Sequence, residues 1–101
     1  MSDKVFSVSE LKELINSLLP RYSFRAVRLF GSYARGEASP ASDIDLLVTY
    51  GEGSKTLDVL SFGERLAELT GKSVDAFESG EVDEGPFLES IQRDGVVMYS
   101  C

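Results

Sequence analysis

The segment Ile44–Tyr50 constrains the fold of this 101-residue chain more than any other, because it is an almost unbroken apolar run. Strands that alternate apolar and polar residues have one face in water, whereas a continuous apolar stretch indicates a strand covered on both faces. Such a strand needs strands beside it and helices packed against the sheet. The sequence therefore predicts an α/β domain with this strand at its centre.

Apolar residues spaced three and four apart predict two amphipathic helices. Ser7 and Glu10 form a capping box ahead of the first helix, which is expected to end near Pro20. The second helix is expected to stop at Gly71, because glycine favours the left-handed conformation that closes many helices. The apolar residues that line this second helix are Leu57, Leu60, Phe62, Leu66 and Leu69.

Shorter patterns complete the predicted order of elements. Residues 24–30, 73–77 and 96–99 are predicted strands, the last as a strand or a tail. Two short helices are expected, one over 33–36 with Ser32 as its cap and one over 86–92. We find no repeat or linker, so we expect a single domain over 1–101 with a small mixed β-sheet flanked by helices.

Composition excludes several kinds of function. The chain has 10 basic and 17 acidic residues, a net charge of −7, which disfavours direct binding to polynucleotides because that requires clustered cations. It has no histidine and one cysteine, Cys101, so histidine bases, Cys-His nucleophiles and Cys/His zinc sites are excluded. No apolar run reaches the ~20 residues of a membrane span and the first nine residues do not resemble a signal peptide, so we expect a cytoplasmic protein that does not bind membranes. Lys55 and Lys72 are expected to be surface charges.

Three aspartates provide the most promising chemistry. Asp43 and Asp45 are two residues apart at the start of the central strand, where side chains at i and i+2 point to the same face. Asp75 lies in the predicted strand 73–77 and joins them if that strand is the neighbour. Crowded carboxylates repel each other unless a hard cation lies between them. Paired Mg²⁺ ions held by carboxylates and substrate phosphates are a recurring solution for nucleotidyl transfer.

Gly31 and Ser32 supply a candidate phosphate site upstream. They follow a strand and open a helix, which leaves backbone N–H groups and a hydroxyl facing outward, as an anionic phosphate requires. A Gly-Ser pair or an Asp-x-Asp pair alone is a weak signal, since acids at strand ends are usually solvated surface residues. Both pairs occur within one run of 18 residues, GSYARGEASPASDIDLLV, which strengthens the interpretation.

This run resembles the signature of the minimal nucleotidyltransferases of the DNA polymerase β-like superfamily. The resemblance covers essentially the whole chain and implies a nucleotidyltransferase-type α/β fold. It implies that Gly31, Ser32 and Arg35 bind the nucleotide, with Arg35 contacting phosphate or pairing with a carboxylate. It also implies that Asp43, Asp45 and Asp75 form the catalytic and metal-binding set for two Mg²⁺ ions, with ATP as the substrate.

Minimal members of this superfamily resemble antitoxins whose partners are HEPN-type ribonuclease toxins. The resemblance implies transfer of AMP from ATP to a hydroxyl, in particular a tyrosine, of such a partner, which neutralises it and makes a hetero-oligomer. Two other functions stay open at this point. One is a non-catalytic antitoxin that acts by complex formation alone, and the other is a nucleotidyltransferase that modifies a small molecule.

Overall fold

A computed structural model describes residues 4–79 and 93–100 of the chain. The described elements are α1 (Val8–Leu18), β1 (Ala26–Phe30), α2 (Gly31–Ala34), β2 (Ile44–Thr49), α3 (Thr56–Thr70), β3 (Val74–Glu78) and β4 (Val96–Ser100). The strands form a mixed sheet in the order β3-β2-β1-β4, in which β2 and β3 are parallel and the other pairs are antiparallel. The predicted α/β architecture with a small mixed sheet is confirmed.

The ends of the two long helices are formed as the sequence predicts. The Ser7 hydroxyl accepts a hydrogen bond from the Glu10 amide, and the Glu10 carboxylate accepts one from the Ser7 amide. Helix α3 ends at Gly71, whose φ of 70° is left-handed and whose amide donates to the Ala67 carbonyl. Both boundaries are thus fixed by local chemistry that can be identified in the sequence.

The expected apolar face of α3 is only partly correct. Phe62 and Leu66 are buried, but Leu57, Leu60 and Leu69 are 73%, 57% and 51% exposed. At 100° per residue these three leucines lie away from the line of residues that faces the sheet. Val59, Phe62, Gly63, Leu66 and Thr70 form the buried side instead.

The main core lies between one face of the sheet and helices α1 and α3. Side chains that alternate along β1 and β2 point into it, together with Met98 of β4 and the inner faces of both helices. A second, smaller cluster on the opposite face contains Phe30 and Leu47, with Phe77 packed against them. Leu47 is 7% exposed, so the expectation that β2 is covered on both faces is confirmed.

Two differences from the predicted elements concern short segments. Helix α2 begins at Gly31 instead of Tyr33, so Ser32 lies inside its first turn and is not its cap. Strand β1 begins at Ala26, two residues later than predicted. The helix predicted over 86–92 lies outside the described residues. No helix among residues 4–79 and 93–100 is long and apolar enough to span a membrane.

Candidate active site

The junction between β1 and α2 brings Gly31 against Asp45. In the β1–β2 register, Asp45 is the partner of Phe30, the residue before Gly31. Gly31 has a φ of +74°, and a β-carbon built on it would overlap the Asp45 carboxylate oxygen Oδ2 and lie 3.2 Å from Asp45 Cγ. Only glycine fits both the left-handed backbone and the close approach of this carboxylate.

Asp75 lies beside Asp45 on the neighbouring strand. The two residues are direct partners in the parallel β2–β3 register, and Asp43 immediately precedes β2. Adjacent strands are about 4.8 Å apart, so the side chains of register partners are close neighbours. The structure therefore brings the three sequence-predicted carboxylates to one end of the sheet, next to Gly31.

The electrostatics of Asp45 reflect this crowding. Burial, which is the largest cause, and the negative charges of Asp75 and Asp43 together raise the pKa of the Asp45 carboxyl from 3.8 to about 6, against the opposing effect of the Arg35 guanidinium. Each cause apart from Arg35 disfavours the charged form of the carboxyl. A cation at this position would relieve the repulsion.

The chemistry of these side chains fits a hard divalent cation. In the part of the chain that the structure describes, no group of three or more acidic, cysteine or histidine side chains is placed so that it could hold a metal ion. Mg²⁺ is usually held by only one or two carboxylates, and waters and substrate phosphates complete its octahedron. Asp43, Asp45 and Asp75 have the carboxylate oxygens that Mg²⁺ prefers, but as they stand in the structure they are not gathered into a group that could hold the ion without further ligands.

Arg35 and Ser32 flank the carboxylates on α2 and the turn after it. The exposed Arg35 Nε donates to Glu37 Oε2 at 3.2 Å, which realises the carboxylate pairing that was one of its two expected roles. Surface pairs of this kind contribute little free energy, so a phosphate can compete with Glu37 for the guanidinium. Ser32 is half-buried, and no group among residues 4–79 and 93–100 is hydrogen-bonded to its hydroxyl.

Lys72 lies beside the candidate site, on the lining of the same cavity as Asp43, and the sequence analysis did not place it there. It was expected to be a surface charge, but it is 6% exposed and its Nζ donates to the Pro40 carbonyl at 2.8 Å. Lys55, by contrast, is exposed as expected. A lysine that follows a helix-ending glycine carries no sequence signal that distinguishes a buried ammonium from a solvated one.

The raised pKa of Asp45 predicts how stability depends on pH in the metal-free protein. A carboxyl that binds its proton more tightly in the folded state stabilises the fold at low pH, and stability falls as pH rises from about 4 to about 6. The carboxyl is only half-buried and water screens it, so we expect a loss on the order of 1 kcal/mol.

Chemical unfolding in the presence of a chelator, at pH 4 and at pH 7, gives the free energy of unfolding of wild type and of Asp45→Asn. The change with pH in the difference between these two free energies measures the effect. The variant is expected to become more stable relative to wild type at the higher pH. Glu68→Gln, which neutralises an exposed carboxyl on α3, serves as the control. A difference between wild type and Asp45→Asn that is the same at both pH values would contradict the electrostatic account.

Comparison with known proteins gives a consistent family match. Residues 12–101 match the family described as polymerase beta, nucleotidyltransferase. The protein adenylyltransferase MntA of Thermococcus cleftensis is 31% identical over 85 residues, which cover 80% of this chain and 86% of that protein. A candidate protein adenylyltransferase of Methanocaldococcus jannaschii is 41% identical over 69 residues, which cover 68% of this chain and 74% of that protein.

A solved structure extends the likeness to the fold. It contains a tri-AMPylated HEPN toxin of Shewanella oneidensis in complex with an MNT antitoxin. The similarity has a TM-score of 0.67 and covers 93% of this chain and 73% of that chain. At 18% sequence identity it shows a shared fold.

Proposed function

Because this chain belongs to the polymerase beta nucleotidyltransferase family, we propose that it is a protein adenylyltransferase that transfers AMP from ATP to a hydroxyl of a partner protein. The observation that carries the proposal is the packing of the Asp45 carboxylate against Gly31, with Asp75 as its register partner. This arrangement supports a phosphate-binding turn at Gly31 with three acids beside it. The name of the relative in Thermococcus cleftensis supports adenylyl transfer to protein.

Each site residue has a proposed role in the transfer. The backbone N–H groups at the start of α2 and the Ser32 hydroxyl bind the triphosphate, and Arg35 leaves Glu37 to contact a phosphate oxygen. Asp43 and Asp45 would hold Mg²⁺, and Asp75 would complete the set and accept the proton of the acceptor hydroxyl. When bound, Mg²⁺ would neutralise the triphosphate and lower the pKa of the acceptor hydroxyl.

The reaction is a substitution at the α-phosphorus. The acceptor oxygen forms a bond to this phosphorus, the bond to the β-phosphate oxygen breaks, and pyrophosphate leaves. The protein contributes mainly by positioning both reactants and by electrostatic stabilisation. The left-handed Gly31 is central to this, because it lets the phosphate-binding turn and the Asp45 carboxylate approach each other closely.

We propose a HEPN-type toxin as the partner, which makes this chain an antitoxin, with a tyrosine as the acceptor. The likeness to the antitoxin of the Shewanella oneidensis complex supports this partner class. The net charge of −7 also favours association with a basic ribonuclease. Neutralisation by complex formation alone is the competing hypothesis.

Transfer of labelled nucleotide tests the proposed activity. The purified chain is incubated with Mg²⁺ and the purified product of the neighbouring gene, expected to be a short all-helical protein. We expect that label from the α-phosphate of ATP becomes covalently attached to the partner and that label from the γ-phosphate does not. Attachment of γ-label would indicate phosphoryl transfer, and label on added small hydroxyl compounds would indicate a small-molecule enzyme.

A further inference from the structure

Lys72 connects the two chain segments that carry the outer carboxylates of the site. Its ammonium, on the turn between α3 and β3, donates to the Pro40 carbonyl, three residues before Asp43. Lys72 is itself three residues before Asp75, and the neighbouring Ser73 carbonyl accepts a hydrogen bond from the Ile44 amide at 2.9 Å. The ammonium therefore extends to Pro40 a connection to the start of β3 that the backbone makes only from Ile44 onward.

The segment before Asp43 has little other support from packing. Pro40, Ala41 and Asp43 are exposed, and a cavity of about 360 Å³ separates the segment from Ala67 and Gly71 at the end of α3. A turn from Ser39 to Ser42 shapes it locally through the Ser42 hydroxyl and amide. Local bonds of this kind set the shape of a loop but do not fix its position relative to another element.

A buried ammonium at this position is costly, which argues for a specific role. Burial without partners is strongly unfavourable for a charged group, so the ammonium must be paired with polar groups in the interior. An exposed lysine would leave the Pro40–Asp43 segment without this connection to α3 and β3. The long side chain instead packs at 6% exposure and directs its charge to a backbone carbonyl of the segment.

We propose that Lys72 is a positioning residue that holds the Pro40–Asp43 segment against the start of β3 and so keeps Asp43 in place to bind a metal ion together with Asp45 and Asp75. This inference rests on the proposed role of the three aspartates as metal ligands. Lys72 contacts neither the metal nor the acceptor in this account, and it acts through the Pro40–Asp43 segment. Its loss should loosen the segment and weaken metal binding without dissociating the fold.

The first test measures the segment itself, in the absence of metal and nucleotide. Hydrogen exchange of the Ser42 and Ile44 amides is expected to be about tenfold faster in Lys72→Met than in wild type. Asn16→Ala is the matched control, because the Asn16 amide also donates to a distant backbone carbonyl, that of Met98 at 3.1 Å, but far from the site. That variant is expected to leave exchange at Ser42 and Ile44 unchanged.

The second test measures metal binding directly. The concentration of Mn²⁺ that half-saturates the protein with a non-hydrolysable ATP analogue is followed by electron paramagnetic resonance. We expect Lys72→Met to raise it about 10- to 100-fold, as is typical when a group that orients metal ligands is removed. Lys72→Arg keeps a cationic donor and should restore most of the affinity. Should Lys72→Met fail to fold, Lys72→Gln, which is shorter and uncharged, takes its place.

The outcomes separate this inference from the proposed function. Unchanged amide exchange and unchanged Mn²⁺ affinity in a folded Lys72 variant would overturn the positioning role, even if wild type transfers AMP. An equal loss of Mn²⁺ affinity and of amide protection in Lys72→Met and Asn16→Ala would also overturn the positioning role, because the effect would then be general destabilisation. If wild type transfers no nucleotide but the exchange and Mn²⁺ results hold, the positioning role stands and the proposed transfer reaction fails.

Discussion

Replacing Asp43 and Asp45 together by asparagine is expected to reduce nucleotide transfer by about 10³-fold or more, which corresponds to about 4 kcal/mol of transition-state stabilisation. Asparagine has almost the same shape as aspartate but carries no charge, so the pair can no longer hold a divalent cation beside the triphosphate. The rate is measured as α-label transferred to the partner under single-turnover conditions.

The same double variant is expected to fold at least as well as wild type. Burial and the negative charges of Asp75 and Asp43 raise the pKa of the Asp45 carboxyl. Neutralising Asp45 therefore removes repulsion between these carboxylates in the metal-free protein. Asp58→Asn is unsuitable as a control because the Asp58 carboxylate accepts from the Lys55 amide at the start of α3. Glu68→Gln, at an exposed position of α3, is a better control. Transfer at the wild-type rate by the double variant would show that the proposed metal site is wrong.

Gly31→Ala is expected to be the most damaging single substitution in the phosphate-binding turn. Alanine at this position would have to adopt a left-handed backbone conformation, and its β-carbon would overlap the Asp45 carboxylate. Either the turn or the carboxylate must therefore move. We expect transfer to fall by about 100-fold, since displacements of about 1 Å in a reacting site have effects of this size. The free energy of unfolding should fall by about 1–3 kcal/mol.

Gly36→Ala provides a closely matched control for this effect. Gly36 has a φ of +73°, almost the same as Gly31, but a β-carbon built on it meets nothing within 4 Å. Both variants carry the left-handed strain, and only Gly31→Ala adds the overlap with Asp45. Equal effects of the two substitutions on transfer would contradict the role assigned to the Gly31–Asp45 contact, and the difference in transfer rate measures that contact.

Most of the fold could be predicted because its signals are local. The capping box at Ser7, the glycine at the end of α3 and the apolar run of β2 each determine an element without reference to the rest of the chain. The site could be predicted in part for the same reason, since Asp43 and Asp45 follow from spacing on one strand. The position of Asp75 relative to Asp45 depends on strand order, which the sequence does not determine. The parallel β2–β3 register shows that the two residues are direct partners.

The remaining features depend on tertiary contacts that the sequence pattern does not encode. Lys72 is buried because a carbonyl 32 residues away lies within reach of its ammonium. Leu57 and Leu60 are apolar and so were expected on the buried face of α3. Their positions around the helix axis direct their side chains outward. The packing of Gly31 against the Asp45 carboxylate likewise joins residues that are 14 positions apart, and no local pattern in the sequence indicates it.

The central claim is that this chain attaches AMP to a partner protein, and the intact mass of that partner tests it most directly. The product of the neighbouring gene is purified after co-expression with wild type and, separately, with the Asp43→Asn/Asp45→Asn variant. We expect the mass to increase by one or more adenylyl groups with wild type and to be unchanged with the variant. An unmodified partner that co-purifies with both proteins would contradict the claim and would show that the chain acts by complex formation.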